Sequence, residues 1–445
     1  MNCITVKGNR FYRNGQPVLL RGIGVGSWLN LEHYELGLPG WDGQIRKALT
    51  DRCPDFMDAF TRSFFTESDA AYLVSLGIDF IRVPVNHHLF WDETASVWRP
   101  DGFALLHRLG EICERSGLLF LLDMHTVPGG QNPDWHSECR TGTPEFWHYR
   151  VFRDTAAELL RRIAAELKDC DSLLGYDILN EPVIPEGCDE AINDYFLQAV
   201  QAIRREDARH LIFLEGDFFA MDFIRIRIPP AEGIALSPHF YPGVWQPEIR
   251  NLSRKERRKE LSGALDRILR TIPNRNLPLL CGETGFDHLG EDTDFWQGMV
   301  EDMLDCLESR GISWCLWNYK DIGPIGLVSP DPACGWMNLC SRISSRWNHH
   351  RAEKTGYDIA DAAEAFLGYT LEKEEKYAMQ FSIRACLAGC DVRHILLPAL
   401  AAYSEKDLLR MAEDFRFENC RVYQPLEDLL KQFCRRSDAP PVPCR

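Results

Sequence analysis

The 445-residue sequence contains no run of about 18 uncharged apolar residues, the length that a membrane-spanning helix requires. Its first 22 residues also lack a continuous apolar stretch, since four basic residues interrupt them, so a secretory signal is not expected. Positive charge is in deficit: Lys and Arg total 50 against 66 Asp and Glu, a net charge of −16. Nucleic acid and anionic membranes are therefore not expected as partners. These features predict a cytoplasmic protein with a small neutral or cationic partner.

The sequence also lacks the signatures of common cofactor and metal sites. No G-x-G-x-x-G turn opens a helix, because the glycines at 22–26 run straight into Ser-Trp-Leu-Asn, which weighs against a dinucleotide site. The 16 cysteines are scattered through apolar segments and predict buried thiols rather than disulfides. Cys386 and Cys390 are four residues apart, but no second pair or nearby histidine completes a zinc set. We therefore expect no metal and no cofactor.

What the sequence does have is an alternation of short apolar runs with longer amphipathic segments, which is typical of repeated βα units. The predicted strands are eight: Val18 to Val25, Phe80 to Pro84, Leu118 to Asp123, Leu173 to Leu179, Leu211 to Glu215, Ile234 to Pro238, Pro278 to Cys281 and Ile312 to Trp317. Helical spacing is clearest in the segments 103–113 and 295–307. The pattern predicts an α/β protein, either a closed barrel or an open doubly wound sheet.

Segments at both ends add to the predicted βα units. Val6 to Arg13 and Gln16 to Arg21 flank Asn14-Gly15, a strong hairpin signal, and predict a β-hairpin that caps the barrel floor. After the last strand, the chain is longer than one closing helix needs and carries further amphipathic stretches. We expect a barrel domain over residues 1–350 and a mainly helical extension over residues 351–445 that packs on it.

Polar residues follow nearly every predicted strand, which favours the barrel, because barrel chemistry sits at the carboxyl ends of the strands. Glu181 follows an apolar strand in Leu-Asn-Glu-Pro, and Glu283 stands in Cys-Gly-Glu-Thr-Gly. Two carboxylates from different strands would thus face one cavity. Such a pair is what glycoside hydrolysis requires, since one group protonates the leaving oxygen and the other attacks the sugar or stabilises its positive charge.

These residues resemble glycoside hydrolase family 5, the cellulase-like (β/α)8 retaining hydrolases, over about residues 15–345. The motifs that carry the resemblance occur in order at the strand ends: Arg82 in Ile-Arg-Val-Pro, His125 in Leu-Asp-Met-His, Asn180 and Glu181 in Leu-Asn-Glu-Pro, His239 and Tyr241 in Pro-His-Phe-Tyr, Glu283, and Trp317 in Leu-Trp-Asn-Tyr. The resemblance implies a (β/α)8 barrel whose acid/base is Glu181 and whose nucleophile is Glu283.

The resemblance also implies supporting roles. Asn180 would bind the sugar 2-hydroxyl, Trp317 would form the floor under the −1 sugar, and His125 and His239 would hold the hydrogen-bond network. For Glu181 we expect a raised pKa, caused by a partly dry site and the charge of Glu283. Arg82 and Tyr241 should keep Glu283 ionised.

Two further segments resemble the exo-β-1,3-glucanase and β-glucosidase-like branch of the family: Gly-Ser-Trp-Leu-Asn-Leu-Glu at 26–32 and His-Thr-Val-Pro-Gly-Gly-Gln-Asn at 125–132. In that branch, the residues matching Glu32, Gln131 and Asn132 bind the terminal sugar and close the cleft into a pocket. This implies an exo-acting β-glycosidase for short β-glucosides or β-glucan oligosaccharides.

Several alternatives stay open at this point. No motif in the sequence distinguishes the two orientations of the sugar 2-hydroxyl, so a β-mannosidase is an alternative. An endo-β-glucanase is another. A non-enzymatic carbohydrate-binding barrel is a third alternative. Asp123, His125, His239 and a glutamate form a rival metal-ligand set, which leaves Asn180 and Trp317 without a role. Association into a homo-oligomer is also left open.

Overall fold

The structure is a computed structural model that describes residues 4–348 and 350–436. Its strands are β1 (Ile4–Lys7), β2 (Arg10–Arg13), β3 (Gln16–Val18), β4 (Arg21–Gly24), β5 (Phe80–Val85), β6 (Trp91–Asp92), β7 (Val97–Trp98), β8 (Leu119–Met124), β9 (Leu173–Asp177), β10 (Leu211–Leu214), β11 (Ile234–Leu236), β12 (His239–Phe240), β13 (Leu280–Thr284), β14 (Ser313–Leu316), β15 (Val328–Pro330) and β16 (Cys420–Val422).

Helices follow most of the strands of the main sheet. They are α1 (His33–Leu36), α2 (Asp42–Arg52), α3 (Phe56–Phe64), α4 (Glu67–Leu76), α5 (Pro100–Ser116), α6 (Arg150–Leu167), α7 (Asp189–Glu206), α8 (Asp217–Ala220), α9 (Pro242–Trp245), α10 (Arg254–Thr271), α11 (Thr293–Glu308), α12 (Gly335–Ser344), α13 (His350–Leu367), α14 (Lys373–Asp391), α15 (Leu397–Leu400), α16 (Glu405–Glu413) and α17 (Gln424–Cys434). A π-helical turn, Val392–Leu396, joins α14 to α15.

The main sheet is a parallel ring of eight strand positions. Its strands follow the order β11-β10-β9-β8-β5-β4-β14-β13-β12. The sixth position is split at Ser237 and Pro238: β11 pairs with β10, β12 pairs with β13, and Leu236 forms a parallel bridge to Leu279. Proline has no N–H for the ladder, which suits the break. The sheet therefore closes, and the (β/α)8 prediction is confirmed.

A three-stranded antiparallel sheet closes the amino-terminal end of the barrel. The expected turn at Asn14-Gly15 is present, with both residues at positive φ, and it joins β2 to β3. The predicted first hairpin strand, Val6 to Arg13, is wrong as a single strand, because a turn at Gly8 and Asn9 divides it into β1 and β2. Phe11 of β2 stacks on Phe213 inside the barrel at a centroid distance of 6.2 Å, so this sheet plugs the floor.

Residues 350–436 are mainly helical, as expected, and pack on the barrel. Phe415 and Phe433 belong to the same hydrophobic cluster as the barrel strands. β16 pairs with β15, which adds a short strand pair that the sequence did not predict. The Lys320 ammonium is buried and donates to Asp69, to the Phe64 carbonyl and to the Phe415 carbonyl, at 2.6, 2.6 and 2.7 Å. The extension and the barrel thus share apolar and polar contacts, while the division at residue 350 stays a prediction.

The described residues also bear on two expectations from the sequence, the state of the cysteines and the lack of a membrane-spanning helix. The 14 cysteines within them are free thiols, and half of these are buried, whereas Cys386 and Cys390 are exposed on α14. No single helix in the described part is long and apolar enough to cross a membrane; one pair, Glu375–Leu400 with Glu405–Glu413, passes that test only jointly and is bent by 102°.

Candidate active site

Arg82 lies at the centre of the polar cluster inside the carboxyl end of the barrel. It belongs to β5 and is fully buried. Its guanidinium contacts carboxylates from four other strand positions of the ring: Asp123 at 3.2 Å, Asp177 at 3.3 Å, Glu215 at 3.0 Å and Glu283 at 2.5 Å. A guanidinium is the one side chain with enough fixed donors for such a set. Arg82 therefore holds together acids that would otherwise repel one another.

Glu283 lies within β13, whose observed start is two residues later than predicted. Arg82 Nη1 donates to its Oε1, and the Tyr241 hydroxyl donates to its Oε2 at 3.0 Å. Burial raises the pKa of Tyr241 well above its usual value, so the phenol stays a donor. Both contacts favour the ionised form of Glu283, but burial and the charge of Glu181 oppose them.

Glu181 follows β9 and has a left-handed backbone, with φ of 47°. Such a conformation is costly for a residue with a Cβ and is found at functional sites where neighbours enforce it. Here the Glu181 N–H donates to Glu215 Oε2 at 2.6 Å, and its carbonyl accepts from Asn132 Nδ2 at 2.9 Å. These two bonds aim the side chain across the cavity towards Glu283.

Two histidines contact the Glu181 carboxylate. His239 Nδ1 lies 2.7 Å from Oε1, and His136 Nε2 lies 3.1 Å from Oε2. His239 Nε2 is also 3.1 Å from Glu215. Burial by itself lowers the pKa of His239, but Glu215, Glu283 and Glu181 outweigh it and raise this pKa well above its usual value. The carboxylate of Glu181 therefore lies between two histidine rings, and the cationic form is favoured for His239.

This contact reverses the expected pKa of Glu181. Burial raises it, but the hydrogen bonds and charges of His136 and His239 outweigh burial, and the pKa is lowered. The pKa of Glu283 is raised, because burial and the charge of Glu181 exceed the effects of His239 and Arg82. The physical reason is that Arg82 is shared among four acids and cannot neutralise Glu283 alone. The sequence missed His136, and with it the source of the reversal.

Asn180, His125 and Glu32 form the wall next to the two glutamates. Asn180 Oδ1 accepts a hydrogen bond from Arg82 Nη2 at 2.8 Å. The amide nitrogen of Asn180, Nδ2, then lies 3.5 Å from His125 Nε2. His125 bonds Asp123 at 2.6 Å and lies 3.3 Å from Glu32. Burial lowers the pKa of His125, but Asp123 and Glu32 outweigh it and raise the pKa to about 10. His125 is therefore a cation, which suits the network role expected for it.

Trp317 lies after β14 with its ring on the backbone of β4. A Cβ at Gly24 would be 2.6 Å from Trp317 Cε3, so only glycine leaves room for the ring there. The indole N–H donates to the Tyr34 hydroxyl at 2.8 Å, and the ring is nearly parallel to that of His125 at 6.2 Å. The structure thus brings Trp317 next to His125, while its role as the sugar floor stays a prediction. Tyr34, which the sequence analysis did not propose as a site residue, lies beside this ring.

Gln131 and Asn132 are brought to the site, but their amides serve the protein. Gln131 Nε2 donates to the carbonyls of His125 and Asn180, both at 2.7 Å. Asn132 holds the Glu181 carbonyl, and both side chains are fully buried. The implied direct sugar contact is thus replaced by support of the Asn-Glu backbone. The reason is that the loop after β8 folds under the Asn180-Glu181 segment.

Sequence reasoning assigned no site role to four residues that lie here: His136, Tyr34, Asp177 and Glu215. Glu215 directly follows β10 and Asp177 ends β9, so the rule that polar groups at strand ends are functional was available for both. Burial and the charge of Glu215 raise the pKa of Asp177 well above its usual value. His136 lies in a loop turn, Trp135–Ser137, where spacing carried no signal.

The rival metal set does not converge. Asp123 Oδ2 contacts both His125 Nδ1 and Arg82 Nη1, so this oxygen already faces cationic groups of the protein. Within the described residues, one cluster at this site does bring ligand-type atoms together: Glu181, His239 and Glu283, all within 4.8 Å of one another. The guanidinium on Glu283 opposes a second cation there. The donor set therefore fits acid–base chemistry better than metal binding.

An aromatic rim lies beside Glu181. Phe219 donates its backbone N–H to the Pro182 carbonyl at 3.3 Å, and its ring is 6.2 Å from that of His136. Phe218 and Trp245 pack with it at centroid distances of 5.3 to 5.9 Å and are about half exposed. Phe218, Phe219 and Ala220 all have positive φ. The rim offers an apolar surface at the mouth of the cavity.

Comparison with known proteins agrees with this geometry. Residues 50–323 match the family model described as cellulase (glycosyl hydrolase family 5). A β-xylosidase of Phanerodontia chrysosporium is 30% identical over 94% of this chain and 96% of its own length. A probable glucan 1,3-β-glucosidase A of Aspergillus fumigatus is 23% identical over 70% of this chain and 72% of its own.

Among solved structures, the rutinosidase of Aspergillus niger superposes with a TM-score of 0.57 at 16% identity, covering 69% of this chain and 91% of its own. That likeness concerns the fold. The family match spans more than half of the sequence and contains both glutamates. The chain is a glycoside hydrolase and belongs to glycoside hydrolase family 5.

Proposed function

We propose that the protein is a retaining, exo-acting β-glycosidase for short β-glucosides or β-glucan oligosaccharides. The observation that carries this proposal is the spacing of two carboxylates, since Glu181 and Glu283 offer oxygen atoms within 4.8 Å of each other. Retaining enzymes hold their two carboxyl groups about 5 Å apart, whereas inverting enzymes need roughly 6.5–9.5 Å to admit a water molecule. The spacing supports a double displacement.

In the first proposed step, a Glu283 oxygen attacks the anomeric carbon and the bond from that carbon to the leaving oxygen breaks. The leaving oxygen takes a proton from Glu181. In the second step, a water molecule attacks the same carbon, its proton passes to Glu181, and the ester to Glu283 breaks. Two inversions keep the β configuration, and both glutamates return to their starting state.

The lowered pKa of Glu181 describes the resting protein, where imidazolium groups surround the carboxylate. Groups this close titrate as a set, so the proton needed by the leaving oxygen belongs to the set and not to Glu181 alone. Attack by Glu283 removes its negative charge, which lies 3.8 Å from His239 and helps to hold that imidazolium. The set therefore releases a proton more readily as the reaction proceeds.

The far wall of the cavity supports an exo mode. Glu32 and His125 are both nearly fully buried and contact each other at 3.3 Å, beside the floor formed by Trp317. Tyr34 is tied to Trp317 and to Glu35 by hydrogen bonds, which fixes its hydroxyl at the edge of that floor. Such a wall favours one terminal sugar over a continuous chain. The exposed rim of Phe218 and Trp245 suits an apolar leaving group.

A second candidate, a β-xylosidase, is favoured by one observation. The β-xylosidase relative matches almost the whole chain, including the extension, whereas the glucosidase relative matches about two thirds. Xylose differs from glucose by lacking the hydroxymethyl group, so a fixed Tyr34 beside the floor suits the smaller sugar. The two candidates share the mechanism and differ only in the −1 sugar.

A panel of 4-nitrophenyl β-glucoside, β-xyloside and β-mannoside, beside carboxymethyl-cellulose, tests these proposals. We expect turnover of a small glucoside or xyloside and slow or no loss of polymer viscosity. Proton NMR should show the β anomer as first product, and an α anomer would refute retention. Glu283→Ala and Glu181→Ala should each lose at least about 10³-fold in kcat/KM. Glu166→Ala, on the exposed face of α6, is the matched control.

A cytoplasmic location is also a proposal. The free thiols, two of them exposed on α14, suit a reducing compartment. Fractionation of cells that express the untagged protein would test it, and recovery from the medium would contradict it.

A further inference from the structure

His136 is a polar side chain at this site that the sequence motifs do not explain and that contacts Glu181 directly. It lies in the short turn Trp135–Ser137 of the loop after β8, and its ring is mostly buried. Its Nε2 atom has two neighbours, one that accepts a hydrogen bond and one that donates a hydrogen bond. Glu181 Oε2, an acceptor, is 3.1 Å away, and Asn132 Nδ2, a donor, is 2.9 Å away.

The orientation of Asn132 is fixed independently. Its Oδ1 accepts the Asp134 N–H at 2.9 Å, and its Nδ2 donates to the Glu181 carbonyl at 2.9 Å. The amide group therefore cannot flip without losing both bonds. One of its two N–H groups serves the carbonyl, and the other faces His136.

This arrangement satisfies Nε2 in both protonation states. When Nε2 carries a proton, it donates to the Glu181 carboxylate; when it has lost the proton, it accepts from Asn132. A buried nitrogen without a partner is costly, so an ordinary buried histidine resists such a change. His136 Nε2 itself has a partner in either state; when it is protonated the second Asn132 N–H loses this acceptor, and when it is neutral Glu181 Oε2 loses this donor. A partner for Nε2 in both protonation states suits a residue that holds and then releases a proton.

We propose that His136 holds the proton that Glu181 delivers to the leaving group, and so acts as a positioning residue for that proton. This inference rests on the proposed glycosidase function. In the resting pair the imidazolium faces the carboxylate. His136 Nε2 passes its proton to Glu181 Oε2, and Glu181 passes it to the leaving oxygen as the bond from that oxygen to the anomeric carbon breaks and Glu283 bonds to that carbon. After water attacks, its proton returns to the pair and Glu283 is released.

The charged surroundings of His136 agree with this role. Burial lowers the pKa of His136, but Glu181 and Asp134 outweigh burial and the repulsion of His125, and the pKa is raised. His239, on the other side of Glu181, is the second imidazolium of the set. The turn itself is anchored from the extension, because Arg384 of α14 bonds Asp134 at 2.9 Å.

Substituted phenyl β-glycosides test the proposal, since a dinitrophenolate leaves without a proton whereas a phenolate needs one. We expect His136→Gln to retain most of its kcat/KM on the 2,4-dinitrophenyl glycoside. On the phenyl glycoside, kcat/KM should fall about tenfold to a hundredfold, which is part of the rate acceleration that a general acid contributes. The basic limb of the pH profile of kcat/KM should move to lower pH by about one unit, because the imidazole that binds the proton has been removed.

His107→Gln is the matched control, since His107 also pairs with a glutamate, Glu166 at 2.8 Å, but on the exposed surface. Thermal melting of each variant checks folding. Equal losses on both glycosides with an unmoved pH profile would refute the inference and leave His136 a structural residue. Absence of any turnover by the unmodified enzyme on the activated glycoside would instead refute the proposed function. The two failures are thus distinguishable.

Discussion

Replacement of Tyr241 by phenylalanine removes one hydroxyl and tests how Glu283 is kept ionised. The hydroxyl donates to Glu283 Oε2 at 3.0 Å, and the other donor to this carboxylate is Arg82, which three further acids share. A hydrogen bond to a charged group contributes about 1.5–3 kcal/mol. Since about 1.4 kcal/mol corresponds to one pKa unit or to tenfold in rate, Tyr241→Phe should lose roughly tenfold to a hundredfold in kcat/KM.

The pH dependence gives the sharper result. The bond favours the carboxylate form, so its loss raises the pKa of Glu283, which burial already raises. Because the nucleophile must be ionised, the acidic limb of kcat/KM should move to higher pH by about one unit or more. Initial rates on a 4-nitrophenyl glycoside across the pH range measure both limbs.

Tyr195→Phe is the control for Tyr241→Phe. Tyr195 is also fully buried and donates its hydroxyl to the Ile178 carbonyl at 3.0 Å, outside the carboxylate cluster. It should lose about 1 kcal/mol of stability and keep its pH profile. A Tyr241→Phe enzyme with an unmoved acidic limb would refute the electrostatic reasoning about Glu283.

Three further changes test other parts of the structure. Gly24→Ala places a methyl group 2.6 Å from the Trp317 ring and should raise KM for small glycosides about tenfold by displacing this ring. Gly263→Ala in α10, where the nearest atom to the new methyl group is 3.7 Å away, is the control, and an unchanged KM in Gly24→Ala would contradict the prediction. Asn132→Ala leaves the Glu181 carbonyl and the Asp134 N–H without their partner and should cost about 1–3 kcal/mol in denaturant unfolding together with a fall in kcat; unchanged kcat would contradict its role under Glu181. Lys320→Met leaves Asp69 buried without its ammonium partner and should lower the free energy of unfolding by about 3–5 kcal/mol, whereas an unshifted melting curve would show that the contact contributes little.

The barrel and the two glutamates could be predicted from local patterns. Strands buried on both faces read as apolar runs, and the residues at their ends fall at one face of the ring whatever the loops do. Glu181, Glu283 and Trp317 were identified by that rule, as were Arg82 and Asn180. The bounds of β13 were less secure, because Pro278 begins the apolar run but supplies only a carbonyl to Leu236.

The directions of the pKa shifts of Glu181 and Glu283 could not be predicted from the sequence, because they depend on which residues contact the same charged partner. The sequence places Arg82 near Glu283 but does not reveal that three other acids contact the same guanidinium. His136 approaches Glu181 only because its loop folds back under the Asn-Glu segment, and no local spacing reports such a fold. The first hairpin strand was misread for a simpler reason: Gly8 and Asn9 form a turn within an otherwise strand-like run.

The buried ammonium of Lys320 has a consequence for how the molecule comes apart. It is shared by the Phe64 carbonyl, by Asp69 and by the Phe415 carbonyl of the carboxyl-terminal region, so separating that region would leave one buried N–H of the ammonium without its acceptor. Calorimetry should therefore record a single cooperative endotherm for the whole chain. A shortened protein ending before α16 would then be expected to misassemble or aggregate instead of surviving as an independent catalyst.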